Sequence, residues 1–239
     1  MAYQSVFKRY ELKYLLTQAQ KKQVLGAMEP YMKLDDYGRT TIRNLYYDTP
    51  NYRLVRQSLE RPVYKEKLRI RSYSQADHCT PVFVEVKKKY DGVVYKRRIA
   101  LPEKEATEWI AGIAPCFRDE QIVREIDYFK DFYTQLEPKV FLSYEREAYY
   151  ALDGSDFRVT FDESILSRQR NLSLCDGAWG TPLLGTGQTL MEMKCSGGIP
   201  LWIAEVLSRQ RIYKSSFSKY GTAYQTMIYP YLQGGRKYA

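Results

Sequence analysis

Much of the chain consists of short segments in which apolar and polar residues alternate, which is the pattern of half-buried β-strands. In Tyr64–Tyr73, Leu68 and Ile70 lie on one face, while lysines and arginines occupy the other. The dipeptide Asp91-Gly92 lies between two such segments and predicts a tight β-hairpin. Alternation and β-rich composition predict about eight strands: Val6–Tyr14, Thr40–Asp48, Tyr64–Tyr73, Val82–Lys89, Val93–Leu101, Lys139–Ala151, Asp156–Asp162 and Thr189–Lys194.

The segments between these strands carry the signals of short helices. Thr17 is a favourable N-cap for a helix that ends near Met28, ahead of Pro30. Pro200 is compatible with the first turn of another helix. The predicted helices are Thr17–Met28, Asn51–Leu59, Glu103–Ile110, Glu120–Gln135 and Ile199–Tyr213. We therefore expect an α+β fold, an antiparallel β-barrel of about eight strands, closed or nearly closed, with helices packed outside.

No part of the 239-residue chain has the composition of an interdomain linker. We therefore predict a single domain over residues 1–239, with a core of about 6–229 and a frayed tail from Gly234. The chain lacks a run of about 18 apolar residues, so the sequence predicts no transmembrane helix. Met1–Tyr14 carries charges throughout and shows no signal peptide, so we expect a cytoplasmic location.

Few residues suit nucleophilic or thiol chemistry. Cys79, Cys116, Cys175 and Cys195 form no C-x-x-C pair, so their spacing indicates neither a zinc site nor a thioredoxin-like site. The only histidine, His78, lies in a polar segment typical of a turn, which disfavours a histidine-dependent triad.

The charge balance is basic. There are 37 Lys and Arg residues against 28 Asp and Glu, a formal net charge of +9. Such a balance implies an anionic partner, which composition alone leaves open among nucleic acid, a membrane surface, a nucleotide and polyphosphate.

The position of the cations within the strands is more informative than their number. The period-two spacing places several on one face of each strand: Lys65, Lys67, Arg69 and Arg71, then Lys87 with Glu85, Lys96 with Arg98, Tyr144 with Arg146, Arg158 with Asp162, and Lys194 with Glu192. These could be solvated outer faces of an antiparallel sheet. If helices instead cover the apolar faces, the charged faces line the interior. Clustered cations there require an anion, because their mutual repulsion is unfavourable.

Three carboxylates stand two residues ahead of a lysine and on the same strand face: Glu11, Glu85 and Glu192. Carboxylate oxygens suit Mg²⁺ or Mn²⁺, which also bridge to substrate phosphates. The alternative is an internal salt bridge. The salt bridge is favoured for Glu85, whereas the apolar surroundings of Glu192 favour a metal ligand, with Glu11 as a second candidate.

At these residues the sequence resembles the catalytic domain of the VTC (vacuolar transporter chaperone) family, the polyphosphate polymerase branch of the CYTH-like triphosphate tunnel metalloenzymes. The resemblance covers about residues 7–224. It rests on these motifs: Arg9-Tyr10-Glu11-Leu12-Lys13-Tyr14, Leu45-Tyr46-Tyr47-Asp48-Thr49-Pro50, Lys67-Leu68-Arg69-Ile70-Arg71-Ser72-Tyr73, Phe83-Val84-Glu85-Val86-Lys87, Tyr144-Glu145-Arg146-Glu147, Arg158-Val159-Thr160-Phe161-Asp162, Met191-Glu192-Met193-Lys194 and Ser218-Lys219-Tyr220.

The resemblance implies a barrel that forms a basic tunnel. It implies transfer of the terminal phosphoryl group of ATP to inorganic polyphosphate, with pyrophosphate or phosphate as a primer and a divalent metal, usually Mn²⁺, otherwise Mg²⁺. By motif position, the implied phosphate-binding set is Lys13, Arg69, Arg71, Lys87, Arg146, Arg158 and Lys219. Glu192 would hold the metal, and Tyr144 and Ser218 would be polar contacts. Face alternation alone adds Lys67, Lys96, Arg98 and Lys194.

The sequence departs from part of the superfamily. It reads Arg9-x-Glu11-x-Lys13 where many hydrolytic relatives have Glu-x-Glu-x-Lys, which favours the polymerase branch. Eukaryotic polymerase subunits also carry an SPX domain and membrane helices. Neither is visible here, so membrane association would need a separately encoded partner.

Three other functions stay open at this point. The same tunnel could hydrolyse triphosphate or polyphosphate, with water replacing the phosphate acceptor. The chain could also be a non-catalytic polyphosphate-binding subunit. Specific nucleic-acid binding is disfavoured because the cations fall on internal strand faces and no groove-reading motif is present.

Overall fold

The computed structural model describes residues 10–234. The strands are β1 (Tyr10–Thr17), β2 (Met32–Leu34), β3 (Thr40–Asp48), β4 (Tyr64–Ser72), β5 (Pro81–Tyr90), β6 (Val93–Pro102), β7 (Glu137–Ala151), β8 (Arg158–Arg168), β9 (Thr181–Pro182) and β10 (Gln188–Cys195). The helices are α1 (Gln18–Met28), α2 (Arg53–Leu59), α3 (Glu103–Ile110), α4 (Gln121–Tyr133), α5 (Leu201–Arg209), α6 (Lys219–Ala223) and α7 (Tyr229–Gly234). A π-helical turn, Tyr224–Ile228, joins α6 to α7.

Local sequence signals account for several boundaries. Thr17 caps α1, since its hydroxyl accepts a hydrogen bond from the Gln20 amide at 3.2 Å. Asp91 and Gly92, both with positive φ, turn β5 into β6 as the hairpin signal predicts. The predicted residues of the first strand ahead of Tyr10, including Arg9, and those of the tail beyond Gly234 lie outside the described part of the chain.

The strands form one antiparallel sheet in the order β1-β10-β8-β7-β3-β4-β5-β6, with β2 paired to β7 and β9 to β8. The α+β class is therefore confirmed, whereas the predicted barrel, closed or nearly closed, is an open curled sheet that does not close. Within residues 10–234 no pairing joins β1 to β6. The free edge of β1 is instead contacted by another segment of the chain. The Ser215 amide donates to the Lys13 carbonyl at 2.7 Å, and Lys214 bridges to Tyr14.

The sheet is nevertheless strongly curled. The Lys87 ammonium of β5 lies 2.9 Å from a carboxylate oxygen of Glu11 on β1, although five strands separate β5 from β1 in the sheet. This contact identifies the inner side of the curl. We call that side the charged face; strand register places on it Glu11, Lys13, Lys67, Arg69, Arg71, Glu85, Lys87, Lys96, Arg98, Tyr144, Arg146, Arg158, Asp162, Glu192 and Lys194.

The opposite side of the sheet is apolar and packs against helices. Trp109 of α3 and Ile126 of α4 join one buried cluster with Val84 of β5. Val24 of α1 and Ile203 of α5 belong to a second cluster over β1, β8 and β10. Burying these apolar faces outside leaves the charged residues to the interior, as the alternation pattern indicates.

The helices are not all outside, however. Tyr220 and Ala223 of α6 are buried with Tyr46 and Leu142, and these two strand side chains point to the same side as Arg69. The helix α6 therefore covers one end of the charged face. Its five residues are too few to show helical periodicity, and the sequence analysis did not predict it.

Candidate functional site

Glu192 on β10 is the centre of the first group of charges. Its carboxylate lies 3.1 Å from the Lys219 ammonium and 3.6 Å from the Lys13 ammonium. The Lys194 ammonium and the Arg146 guanidinium each lie 3.5 Å away. Burial alone would raise the pKa of Glu192, but these four cations outweigh it and hold the pKa well below its ordinary value. The carboxylate is therefore charged at neutral pH.

Asp162 on β8 joins the same group and is fully buried. Arg146 donates two hydrogen bonds to its carboxylate, at 2.6 and 2.7 Å, and the Lys219 ammonium lies 2.5 Å away. Such a bidentate pair fixes the orientation of the guanidinium. Sequence analysis placed Asp162 on a strand face with Arg158 but did not select it as a site residue. The sequence signal that could have identified Asp162 was its period-two spacing from Thr160, which puts it on the same strand face.

Glu85 on β5 is the centre of the second group. Arg69 approaches it at 2.7 Å, Lys96 at 2.5 Å and Arg71 at 3.8 Å. Burial raises the pKa of the Glu85 carboxyl. The nearby cations Arg69, Arg71 and Lys96 lower it by more than burial raises it, so the net pKa lies below the ordinary value. These contacts agree with the salt-bridge interpretation of Glu85.

The two arginines of β4 are held by neutral groups as well. Arg69 donates to the Tyr46 hydroxyl at 2.8 Å. Arg71 donates to the Asn44 side-chain oxygen at 2.9 Å and to the Tyr144 hydroxyl at 3.3 Å. Their guanidinium groups are thus oriented before any ligand binds, which lowers the entropic cost of gripping an anion.

Lys67 lies between the two groups and takes part in no ion pair among the described residues. Its ammonium donates to the Ser218 hydroxyl at 3.3 Å. Burial, followed by the nearby charges of Lys13 and Lys87, lowers the pKa of Lys67 to about 7. An anion that binds beside Lys67 would stabilise the charged form of its ammonium group.

Glu11 connects the ends of the curled sheet. Its carboxylate lies 2.9 Å from the Lys87 ammonium and 3.2 Å from that of Lys13. Burial raises its pKa, yet Lys87 and Lys13 keep the net pKa well below the ordinary value.

Two predicted residues lie apart from these buried groups. The Arg158 side chain is 51% exposed, and its partner is Asp35 at 3.2 Å. Arg98 is exposed, and its guanidinium lies 4.4 Å from the centre of the Phe83 ring. Both therefore lie at the rim of the charged face.

Lys219 and Ser218 reach the charged face from α6. The Ser218 hydroxyl caps this helix by accepting from the Gly221 amide at 3.2 Å. Lys219 lies 4.5 Å from the ring centre of Tyr144. Burial would raise the pKa of Tyr144, but Arg146, Arg71 and Lys219 lower it to about 8.

The carboxylate oxygens on the charged face are the type of ligand that a divalent metal such as Mg²⁺ prefers. Glu192, Asp162 and Glu11 supply hard carboxylate oxygens that are ionised at neutral pH and lie beside lysine and arginine side chains. Each carboxylate is paired with ammonium or guanidinium groups, so a metal would share these ligands with the cations and with substrate oxygens. These groups could hold Mn²⁺ or Mg²⁺.

No helix within residues 10–234 combines the length and apolar character needed to span a membrane. The expected location and a membrane partner therefore stay predictions.

Comparison with one solved structure shows a shared fold. A "putative adenylate cyclase" from Bacillus halodurans superposes with a TM-score of 0.56 at 14% identity, covering 94% of this chain and 99% of the other. A second "putative adenylate cyclase", from Vibrio parahaemolyticus, gives a TM-score of 0.49 at 10% identity, covering 91% and 98% of the two chains.

Comparison with curated proteins gave no match. The VTC domain family, in contrast, matches residues 8–228, which span the whole sheet and α1 to α6. The chain belongs to the VTC domain family.

Proposed function

We propose that this protein is a metal-dependent polyphosphate polymerase that transfers the terminal phosphoryl group of ATP to inorganic polyphosphate. Family membership supports an enzyme acting on triphosphates. The observation that carries the proposal further is the excess of positive charge on the charged face. Nine basic side chains there, Lys13, Lys67, Arg69, Arg71, Lys87, Lys96, Arg146, Lys194 and Lys219, face four carboxylates, Glu11, Glu85, Asp162 and Glu192.

This imbalance matches a polyanion better than a single carboxylate or sulfate group. Two arginines, Arg69 and Arg71, offer planar donors for one phosphate group, and Lys219 and Arg146 offer a second set of donors beside Glu192. Lys67 lies between them and has no carboxylate partner among the described residues. The surface can therefore hold successive phosphates of one chain, or a nucleotide triphosphate and an acceptor phosphate.

The reaction needs no covalent enzyme intermediate. A terminal oxygen of the polyphosphate forms a bond to the γ-phosphorus of ATP, and the bond to the β–γ bridging oxygen breaks, which releases ADP. A divalent cation, when bound, would neutralise negative charge on the phosphate oxygens. Arg69 and Arg71 orient the phosphates, and Lys219 stabilises the charge that develops on the transferring or leaving oxygens. Positioning and charge stabilisation account for most catalysis in such transfers.

The test is incubation of purified protein with ATP, Mn²⁺ and a pyrophosphate or short polyphosphate primer, followed by gel separation of polyphosphate. We expect a ladder that lengthens with time. It should be absent for Glu192→Ala and retained for Glu29→Ala, a matched change at an exposed glutamate of the surface.

The other outcomes contradict the proposal in different ways. Release of ADP and phosphate without a ladder would indicate a hydrolase in the same site. Tight polyphosphate binding without turnover would indicate a binding subunit. A ladder of normal length from Glu192→Ala would overturn the assignment of the metal ligand.

A further inference from the structure

A second group of potential metal ligands lies outside the charged face. It comprises His78 in the loop between β4 and β5, Glu103 at the start of α3, and Cys175 in the segment between β8 and β9. One histidine ring nitrogen, one carboxylate oxygen and the cysteine sulfur all lie within 4.8 Å of one another. Glu103 is buried at 6% exposure, and Cys175 packs against the apolar cluster on the outer side of the sheet.

Backbone hydrogen bonds hold the three segments together. The Ala76 amide donates to the Leu174 carbonyl at 3.1 Å, and the Gln75 side chain donates to the Cys175 carbonyl at 2.8 Å. The Lys104 amide donates to the His78 carbonyl at 3.2 Å. The ligand-bearing backbone is therefore fixed on all three sides, so a metal would not have to organise loose loops.

The distance between the histidine and glutamate ligand atoms suits a small tetrahedral ion. Ligand atoms about 2.0–2.1 Å from zinc and arranged tetrahedrally are separated by about 3.4 Å. The Nδ1 atom of His78 and the Oε2 atom of Glu103 are 3.4 Å apart. The Thr107 hydroxyl donates to the other oxygen of Glu103 at 3.1 Å, which orients the carboxylate as second-layer groups do at metal sites.

The donor types distinguish this group from the carboxylates of the charged face. A combination of imidazole nitrogen, thiolate sulfur and carboxylate oxygen favours zinc, whereas oxygen ligands alone favour Mg²⁺ or Mn²⁺. Sequence spacing could not reveal the set, since its members are contributed by three separate segments and contain no C-x-x-C.

We propose that His78, Glu103 and Cys175 form a zinc site, completed by water, that ties the two loops to α3. The site is independent of the polymerase proposal. It would stabilise the end of the sheet where β4 turns into β5, and its loss would lower the thermal stability of the folded protein.

The test is Zn²⁺ binding to the purified full chain, free of any histidine tag, by competition with a chelating dye. We expect one equivalent of Zn²⁺ that is lost or weakened at least about 100-fold in Cys175→Ser and in His78→Ala, since even second-layer changes cost 10–100-fold. Cys116→Ser, at another partly buried thiol, and Glu192→Ala should keep this equivalent. Zn²⁺ should raise the melting temperature of the wild type but not that of His78→Ala.

A spectroscopic readout identifies the thiol ligand. Co²⁺ in place of Zn²⁺ should give a thiolate charge-transfer band that disappears in Cys175→Ser. Two results would overturn the proposal: no zinc retained by the wild type, or zinc binding undiminished in both ligand variants. His78 has a largely exposed side chain, so His78→Ala should fold even if Cys175→Ser does not.

Discussion

The Tyr220 hydroxyl donates a hydrogen bond of 2.9 Å to the buried carboxylate of Asp48. Asp48 ends β3 and also accepts from the backbone amides of Leu54 and Val55 at 2.8 and 3.0 Å, so it holds the start of α2. Tyr220 directly follows Lys219, which lies against Glu192. Through Tyr220, the Asp48 carboxylate therefore helps to place the Lys219 cation on the charged face.

Tyr220→Phe removes this hydrogen bond and leaves a buried carboxylate oxygen with one partner fewer. We expect the free energy of unfolding to fall by about 1–3 kcal/mol. Turnover should fall as well, because Lys219 is no longer held in place. Urea unfolding and polymerase rates measure the two effects, with Tyr229→Phe at a half-exposed tyrosine as the control. A drop in neither quantity would show that Asp48 does not position α6.

Glu192→Gln keeps the size of the side chain and removes its charge. Lys219, Lys13 and Arg146 then lose a shared counter-charge, so the charged face becomes more positive. We expect tripolyphosphate to bind on the order of tenfold tighter in the presence of a chelator, while Mn²⁺ no longer stimulates turnover. Calorimetry and activity assays measure these opposite changes.

If the substitution only damaged the site, the variant would bind tripolyphosphate more weakly and its turnover would be slower. That result for Glu192→Gln would contradict the electrostatic role given to this carboxylate. Glu29→Gln should leave both measurements unchanged.

The alternation of residues was enough to predict which side chains share a strand face, as for Lys67, Arg69 and Arg71. It could not predict which strands lie opposite each other. Lys13 and Glu192 are distant in sequence, and only the pairing of β1 with β10 brings them together. The grouping of charges around Glu192 is therefore a property of sheet order, which a period-two pattern does not contain.

The sequence could not decide between a closed and an open sheet for a similar reason. The edge of β1 is covered by Lys214 and Ser215, which belong to a segment with no strand pattern. Asp162 was missed because its importance depends on Arg146 and Lys219, contributed by one other strand and a helix of five residues. Long-range packing decides both features.

Arg146 and Arg158 form a matched pair of substitutions, because both belong to the predicted phosphate-binding set but differ in burial. Arg146→Ala leaves the fully buried Asp162 without its bidentate partner. We expect a loss of about 3–5 kcal/mol in the free energy of unfolding, together with loss of turnover. Arg158→Ala breaks an exposed pair with Asp35 and should cost about 0–1 kcal/mol.

Chemical denaturation and tripolyphosphate binding separate the two arginines. Equal effects on stability would show that Asp162 does not depend on Arg146. An equal loss of tripolyphosphate affinity would place Arg158 in the binding surface rather than at its rim.

The lowered pKa of Lys67 predicts how anion binding depends on pH. Burial and the charges of Lys13, Lys87 and Lys65 lower its pKa to about 7, so the ammonium is charged below that pH and increasingly neutral above it. A bound phosphate raises the pKa again. Titration of Lys67 alone should therefore make the affinity for tripolyphosphate highest below pH 7 and lower it about fivefold between pH 7 and pH 8, with protons taken up on binding.

Titration calorimetry at pH 8 in two buffers of different ionisation enthalpy counts these protons. Lys96 also has a pKa lowered to about 7 by burial and by Arg71 and Arg69, against the opposing effect of Glu85, so it contributes to the uptake. Lys67→Arg keeps a permanent charge and should reduce the uptake by about one proton without weakening binding at pH 6. An unchanged uptake in this variant would show that Lys67 is already charged at pH 8 in the free protein.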